Sequence, residues 1–250
     1  MSSSTCSLCR FWQSSIGKKL VVAITGAFIV LFLAGHLVGN LLIFQSSEDF
    51  NEYAEFLHSM AHGWGIWVAR IAMLGALVLH VVATIQLTIA NKAARPSRYQ
   101  KEATVVASNS SRMMIWSGLT VLAFIIFHIL HYTVRIDSDL KTLADYKQNW
   151  AMAISGFQSV PVSLFYILAM FLLCSHLSHG VASIFQTLGL RTRKTAKAIN
   201  IFAKVYSVII LLGFISIPIS ICFFGYGREE MKETHLEVQK MKALGVTFKH

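Results

Sequence analysis

Five long apolar stretches constrain the fold of this chain more than any other feature. A helix needs about 20 predominantly apolar residues to cross the hydrocarbon core of a bilayer, and none of the five stretches contains an Asp or Glu. Only 14% of the 250 residues are charged, against about 25% in a soluble domain. The composition therefore predicts an all-α integral membrane protein embedded in lipid. The expected transmembrane spans are residues 19–44, 65–90, 113–135, 161–188 and 203–224.

The segments that connect the spans alternate in charge. Basic residues dominate the segment before the first span and the second and fourth connections, whereas the first connection carries acids and no Lys or Arg. Because positively charged loops stay in the cytoplasm, we expect residues 1–17 to form a cytoplasmic leader, 18–224 the membrane domain, and 225–250 an external tail. These loops account for the net charge of +10, so nucleic-acid binding is not predicted.

Two of the external connections carry amphipathic patterns. Residues 48–63 repeat apolar side chains at helical spacing. Within residues 145–159, we expect the aromatic side chains of Tyr146, Trp150 and Phe157 to act as anchors at the membrane surface.

Four histidines lie one per span in the first four spans. An ionisable ring inside a bilayer is costly and usually functional. Four imidazoles on four helices are the ligand set that two bis-histidine haems require, so the first four helices are predicted to form a di-haem bundle. The four residues are His36, His80, His128 and His176.

The depth of each histidine in its span divides the four into two pairs. With a rise of ~1.5 Å per residue, His36 and His128 lie ~6–7 Å outward from their span centres. By the same arithmetic, His80 and His176 lie ~2–4 Å toward the cytoplasm. The pattern predicts an outer haem between the first two and an inner haem between the second two. Each iron would be six-coordinate, which is typical of electron transfer.

Two of these assignments have a neighbouring alternative. His131 and His179 each follow a proposed ligand by three residues, so both rings of each pair point to roughly the same side of the helix. His179 would lie ~4–5 Å deeper than His176, a poorer match to His80. Depth alone does not decide between His128 and His131. We expect His131 and His179 to contact the ligands or the haem propionates.

Two other interpretations of the histidines are open at this point. The rings could hydrogen-bond across helices in a haem-free scaffold. They could also form the site of a metal transporter, although such sites normally include carboxylates or thiolates. A reduced-minus-oxidised spectrum without a cytochrome b band would favour either of these.

Four segments around the histidines are similar to those of one known family. Together they resemble the di-haem cytochrome b anchor subunits of succinate:quinone oxidoreductases, of the type with five helices in a single polypeptide. The resemblance covers residues 17–224. The segments are GKKLVVAITGAFIVLFLAGHLVGNLL (17–42), LVLHVVATIQL (77–87), FIIFHILHY (124–132) and SHLSHGVASIFQTLG (175–189).

The resemblance also bears on the choice of ligands. The H-x-x-x-G motif of His176 and Gly180 matches the ligand motif of the family's fourth helix and favours His176 over His179. By the same matching, the three other family ligands correspond to His36, His80 and His128.

The resemblance implies partners and a role in respiration. The family carries two haems b and assembles with an iron–sulfur protein and a flavoprotein that handles succinate or fumarate, in the bacterial cytoplasmic membrane. This chain would be the quinone-reactive anchor, linked to the tricarboxylic acid cycle, with no catalytic residue or dicarboxylate site of its own. Menaquinone is the favoured quinone. The alternative within electron transport is the di-haem cytochrome b of a hydrogenase or formate dehydrogenase. The family pattern does not account for the Cys6 and Cys9 pair or for the tail after Gly227.

Further candidate residues follow from the needs of the two cofactors. Haem propionates require cationic or hydroxyl partners, and quinone chemistry requires a proton acceptor that reaches water. The candidates near the inner haem are Lys18, Lys19, Arg112 and Arg191, and those near the outer haem are Arg135 and Tyr132. The quinone candidates on the outer face are Glu52, Glu55, His58, His62 and Trp64.

Overall fold

The computed structural model describes residues 7–94 and 114–246, and this part of the chain is helical with no strand. Five of its helices are long and apolar enough to cross a membrane, which confirms the predicted all-α membrane architecture. Residues 95–113, including Arg112, lie outside the described part. The described helices are α1 (Ser7–Gln13), α2 (Ser15–Leu41), α3 (Ser47–Ser59), α4 (Trp64–Ala93), α5 (Met114–His128), α6 (Ser138–Asp145), α7 (Asn149–Phe157), α8 (Val160–Thr187), α9 (Ala196–Phe224) and α10 (Arg228–Ala243).

The ends of the membrane helices follow from local chemistry. Helix α2 begins after Ser14, whose hydroxyl accepts the Gly17 N–H at 2.9 Å and so satisfies a donor that the helix leaves free. Pro161 occupies the first turn of α8, where its missing N–H costs nothing. Helix α5 continues into a π-helical turn over Ile129–Val134. The sequence pattern did not predict this turn.

Helix α8 is the centre of the membrane bundle. It packs against α2, α5 and α9, and α2 packs in turn against α4 and α9. The contact between α2 and α9 is close, because the Tyr206 hydroxyl donates to the Val30 carbonyl at 2.6 Å. The four helices that carry the predicted ligands, α2, α4, α5 and α8, therefore form a bundle that α9 supports from one side.

One end of the bundle is covered by a layer of four shorter helices, α3, α6, α7 and α10, which we call the cap. Helix α7 is its core: Trp150 and Ile154 are fully buried. The indole N–H of Trp150 donates to the Ile43 carbonyl at 3.0 Å, and the Tyr226 hydroxyl donates to the same carbonyl at 3.0 Å. Asn51 of α3 accepts the Trp150 backbone N–H at 2.9 Å. These bonds join the cap to the ends of α2 and α9.

The expected role is wrong for two of the three aromatic residues in 145–159. Trp150 is 2% exposed and Phe157 is 9% exposed, so their side chains pack inside the cap and do not anchor the chain at a membrane surface. Tyr146 is half-buried, and its hydroxyl donates to the Val246 carbonyl at 2.8 Å. The tail after Gly227, which was expected to be an external extension, supplies α10, which buries Met231 and Val238 against this layer.

Gly227 offers a test of how tightly the cap packs. Its φ is 68°, and a Cβ atom there would lie 2.7 Å from Cη2 of Trp150. Gly225 has a similar φ of 71°, but its Cβ would meet nothing nearer than Arg228 Cζ at 4.0 Å. We expect Gly225→Ala to cost about 1 kcal/mol of backbone strain and Gly227→Ala to cost about 1–3 kcal/mol more through overpacking.

Thermal unfolding in detergent micelles, together with protease cleavage of α10, measures the difference between the two variants. Equal unfolding midpoints for Gly225→Ala and Gly227→Ala would contradict the tight contact with Trp150.

Candidate functional site

The rings of His36 and His128 face each other across the bundle. Their centroids are 5.8 Å apart and their planes make an angle of 80°. An imidazole nitrogen binds a metal at about 2 Å, so two imidazoles on opposite sides of one metal have ring centroids roughly 6 Å apart. The pair that depth matching predicted is therefore brought to the spacing that a shared iron requires.

The surroundings of His36 are largely aromatic. Phe32 stacks on its ring at 5.3 Å and 14°, and Phe214 of α9 lies 5.8 Å from it. The Asn40 amide nitrogen lies 3.3 Å from Nδ1 and 3.5 Å from Nε2 and donates at 2.7 Å to the His36 carbonyl. The amide thus lies beside both ring nitrogens and leaves the tautomer of His36 open.

His128 shares a hydrogen-bond partner with its neighbour His131. The Tyr166 hydroxyl of α8 is 3.3 Å from Nδ1 of His128 and 3.1 Å from Nδ1 of His131. His131 is 9% exposed and packs against Tyr132 with ring centroids 4.2 Å apart. Of the two candidates on α5, His128 is the one whose ring meets His36.

The second pair, His80 and His176, lies further from the cap. The two rings are within electrostatic range of each other, and each rests against a glycine of a neighbouring helix. A Cβ atom on Gly26 would lie 3.2 Å from Cε1 of His80, and one on Gly118 would lie 3.4 Å from Cε1 of His176. Each glycine thus admits an imidazole to the surface of the adjacent helix.

Hydroxyl groups hold both of these rings. Thr25 Oγ1 is 3.2 Å from Nδ1 of His80 and donates to the Val21 carbonyl at 2.6 Å. Ser117 Oγ is 3.3 Å from Nδ1 of His176 and donates to the Met114 carbonyl at 3.1 Å.

The arrangement accommodates the tautomer that a metal ligand needs. A hydroxyl has one hydrogen, and each of these two hydroxyls has a carbonyl of its own helix within hydrogen-bond distance. When the hydroxyl donates to that carbonyl, Nδ1 of the histidine carries its proton and donates to the hydroxyl oxygen. In that tautomer Nε2 keeps its lone pair, which is the form in which a histidine binds a metal.

The two pairs occupy two levels of the bundle. Thr25, beside His80, precedes His36 on α2 by eleven residues, and Ser117, beside His176, precedes His128 on α5 by eleven residues. At the helical rise this separation is about 16 Å. The four rings therefore form an upper pair next to the cap and a lower pair near the opposite end.

One glycine beside the lower pair leaves its helix surface open. A Cβ atom on Gly180, one turn after His176, would meet no atom within 4 Å, so this side of α8 does not obstruct a flat group next to His176. The donor set is two neutral imidazoles per level, which is the set that a six-coordinate haem takes.

Arg135 is the predicted propionate partner that the structure favours most. It follows the π-helical turn in a left-handed conformation, with φ of 58°, and its Nε atom is buried without a hydrogen-bond partner. Burial lowers the pKa of this guanidinium, and the nearby Asp145 carboxylate partly offsets that effect. A buried donor without an acceptor is costly, so this group suits an anionic ligand near the upper pair.

The other charged candidates are distributed over the end opposite the cap. Lys19 lines an open cleft of about 260 Å³ with Gln186 and Thr187, and Lys18 is half-buried on the same turn. Arg191 is exposed and its Nη2 donates to Asn200 Oδ1 at 3.5 Å.

His179 and Tyr132 are the remaining residues that were predicted to contact the ligands or the haem propionates. His179 is half-buried on α8, beyond His176 toward the basic end, with Arg191 as its charged neighbour. Tyr132 donates its hydroxyl to the Ala153 carbonyl of the cap at 3.3 Å. Its hydroxyl is therefore already used in holding the cap against α5.

The five quinone candidates all lie in or beside the cap. Glu55 forms an ion pair with Lys147, which joins α3 to the loop before α7, and Glu52 is exposed on the same helix. His58 bonds through Nδ1 to the Ala54 carbonyl at 2.7 Å. His62 is exposed in a left-handed turn with φ of 56°, and Trp64 is 73% exposed. These side chains share a face but do not converge on one point.

Comparison with protein-family models, with curated proteins and with solved structures gives no match for this chain.

Sequence reasoning missed the residues that hold the rings. Thr25, Ser117 and Tyr166 are on helices other than those of the histidines they contact, so no local spacing reveals them. A signal was present in one respect: Thr25 and Ser117 each directly precede a glycine, Gly26 and Gly118. A hydroxyl residue next to a glycine within an apolar span marks a place where a polar ring can approach the backbone.

Replacing Thr25 by Val tests the hydrogen bond to His80. Valine keeps the shape of the side chain and removes the acceptor for the Nδ1 proton, so we expect a loss of about 1 kcal/mol. The matched control is Thr84→Val, because the Thr84 hydroxyl bonds only to the His80 backbone carbonyl, at 2.7 Å, and its loss should cost within about 0.5 kcal/mol. Thermal unfolding in detergent measures both; equal losses would show that the Thr25 hydroxyl does not serve the ring.

Proposed function

We propose that this chain is the membrane-anchor cytochrome b subunit of a succinate:quinone oxidoreductase, which carries electrons between an iron–sulfur subunit and membrane quinone through two bis-histidine haems. The observation that carries the proposal is the arrangement of four imidazoles at two levels of one bundle, with the two upper rings in contact and the two lower rings within electrostatic range of each other. The upper rings are 5.8 Å apart, and both lower rings are held at Nδ1 by hydroxyls. The motif resemblance supports the particular complex.

The residues of the chain would hold and orient the two haems. When bound, each haem supplies a one-electron carrier. His36 and His128 would hold the upper haem, and His80 and His176 the lower haem. Arg135 would neutralise a propionate at the upper level. An iron held by two histidines would leave oxygen and small substrates without a site on the metal.

The charge distribution supports an orientation in the membrane. The connection after α8 and the start of α2 carry a cluster of Lys and Arg, whereas the first connection, within the cap, carries the acids Glu48, Asp49, Glu52 and Glu55. Since positively charged loops stay inside, the end opposite the cap would face the cytoplasm of a bacterial cell and the cap would lie outside. The upper pair then corresponds to the outer haem and the lower pair to the inner haem.

In this orientation, the iron–sulfur protein would bind at the basic end of the bundle and quinone would bind near the cap. The basic inner end offers a surface for an acidic face of the iron–sulfur protein, which in turn would bind the flavoprotein that handles succinate and fumarate. Quinone, in the form of menaquinone, would react near the outer haem, where the cap supplies water-accessible carboxylates and imidazoles. A complex that copurifies with a covalently bound flavin supports this assignment; a nickel or molybdenum subunit would point instead to a hydrogenase or formate dehydrogenase.

Single histidine replacements test the pairing. We expect the purified wild-type protein to contain two haems b. His80→Ala or His176→Ala should lose the inner haem, and His36→Ala or His128→Ala should lose the outer haem while the inner one remains, because a single imidazole binds haem iron far less tightly. The haem-to-protein ratio and the reduced-minus-oxidised spectrum measure these losses.

The control for this series is His58→Ala, which removes an exposed imidazole of the cap and should keep both haems. Retention of two haems after any of the four bundle replacements would exclude the pairing. A wild-type protein without a cytochrome b band would exclude the function and favour a scaffold or transporter.

Carboxylate replacements in the cap test the quinone site. We expect Glu52→Gln or Glu55→Gln to slow quinone turnover by about tenfold or more if the carboxylate passes protons, with both haem spectra unchanged.

Because Glu55→Gln also removes an ion pair, Lys147→Met is the control that breaks the pair and keeps the acid. Glu48→Gln is the control for a general change of charge on α3. Unchanged turnover in both test variants would exclude α3 from the quinone site.

A further inference from the structure

The Tyr166 hydroxyl is the one side-chain group that contacts Nδ1 atoms of two histidines in the described part of the chain. It lies 3.3 Å from Nδ1 of His128 and 3.1 Å from Nδ1 of His131. Tyr166 is 6% exposed, and its ring packs edge-on against Phe124 and Phe157 at 5.0 and 4.9 Å. The position of the hydroxyl is thus fixed by packing from α5 and the cap.

Once His128 is a metal ligand, one arrangement of the hydrogens gives every member of this trio a hydrogen-bond partner. Ligation through Nε2 requires that Nδ1 of His128 carries the proton, so His128 donates to the Tyr166 oxygen. The one hydrogen of the hydroxyl is then free to be donated to His131. Nδ1 of His131 accepts it, and the proton of the His131 ring lies on Nε2.

We propose that Tyr166 is a positioning residue of the outer haem site. His131 accepts a hydrogen bond from the Tyr166 hydroxyl and thereby strengthens the hydrogen bond between that hydroxyl and Nδ1 of His128. This inference rests on the proposed function, because it assumes that His128 ligates iron. By donating to His131, the Tyr166 oxygen becomes a better acceptor for the His128 proton, since hydrogen bonds in a chain polarise one another. A better acceptor makes His128 a more basic ligand, which stabilises the oxidised iron and lowers the midpoint potential of the outer haem.

The hydrogen bond from Tyr166 to His131 also explains why two histidines occur three residues apart at the end of α5. His128 meets His36, and His131 lies one turn closer to the cap, within the π-helical turn Ile129–Val134. Both rings lie on the side of the helix that meets Tyr166. His131 is therefore not a spare ligand; its chemical use is as the acceptor that orients the tyrosine hydroxyl.

The central experiment is a potentiometric titration of the purified complex that carries Tyr166→Phe. Phenylalanine keeps the ring packing and removes the hydroxyl, so we expect the midpoint potential of the outer haem to become more positive while that of the inner haem is unchanged. Release of the outer haem to excess apomyoglobin should also be about tenfold faster or more, as is typical when a partner of a metal ligand is lost. Ser117→Ala is the matched variant and should move only the inner haem.

A double-mutant cycle shows whether His131 acts through the Tyr166 hydroxyl, which we call the relay, or only through its packing. His131→Leu should shift the outer potential in the same direction as Tyr166→Phe, and the double variant should match Tyr166→Phe alone, because His131 acts only through the hydroxyl. His131→Gln keeps an acceptor and should stay closer to the wild type than His131→Leu. If Tyr166→Phe does not fold, the comparison of the Gln and Leu variants still decides the question.

The outcomes distinguish this inference from the function on which it rests. Additive shifts in the double variant, or an outer haem potential that Tyr166→Phe leaves unchanged in a protein with two haems, overturn the relay and leave the proposed function intact. A wild-type protein without haem overturns both.

Discussion

The structure depends on one constraint, which is that an imidazole N–H inside hydrocarbon must find an acceptor. Water is absent there, and an unpaired polar group costs several kcal/mol. Three of the four bundle histidines meet this need with a hydroxyl from a different helix, so each hydrogen bond also fixes the packing of two helices. The three contacts are His80 of α4 with Thr25 of α2, His176 of α8 with Ser117 of α5, and His128 of α5 with Tyr166 of α8.

The cap constrains the packing at the upper end of the bundle in the same way. Tyr132 of the π-helical turn donates to the Ala153 carbonyl of α7, and a Cβ atom on Gly156 would lie 2.5 Å from its hydroxyl. The close approach of α7 thus requires a glycine at that position. A π-helical turn inserts an extra residue per turn, and within this one His131 contacts Tyr166 while Tyr132 contacts both Tyr166 and the cap. Packing of the cap is therefore connected to the geometry around His128.

Much of this architecture could be predicted from the sequence, because two of its determinants are local. Length and hydropathy define the five spans, and the fixed rise of a helix pairs His36 with His128 by depth. The burial of Trp150 could not be predicted in this way, since an aromatic residue in an amphipathic segment looks the same whether it contacts lipid or another helix. The docking of α10 was missed for a similar reason: its partner surface exists only once the cap has assembled. Hydroxyl partners such as Thr25 depend on which helices become neighbours.

The two levels of the bundle differ in how their rings are held, and under the proposed function this difference would bear on electron transfer. At the lower level, Thr25 and Ser117 donate to carbonyls of their own helices, so their oxygens would accept from the histidines with a strength fixed by the helix backbone. At the upper level, the hydroxyl beside His128 is the phenol of Tyr166, which also lies 3.1 Å from Nδ1 of a second histidine. In the proposed arrangement the basicity of His128 would depend on that second side chain, His131, which is buried next to the cap. Such a bundle would have one level set by rigid secondary structure and another that responds to the packing and polarity of the cap, the end where quinone would react.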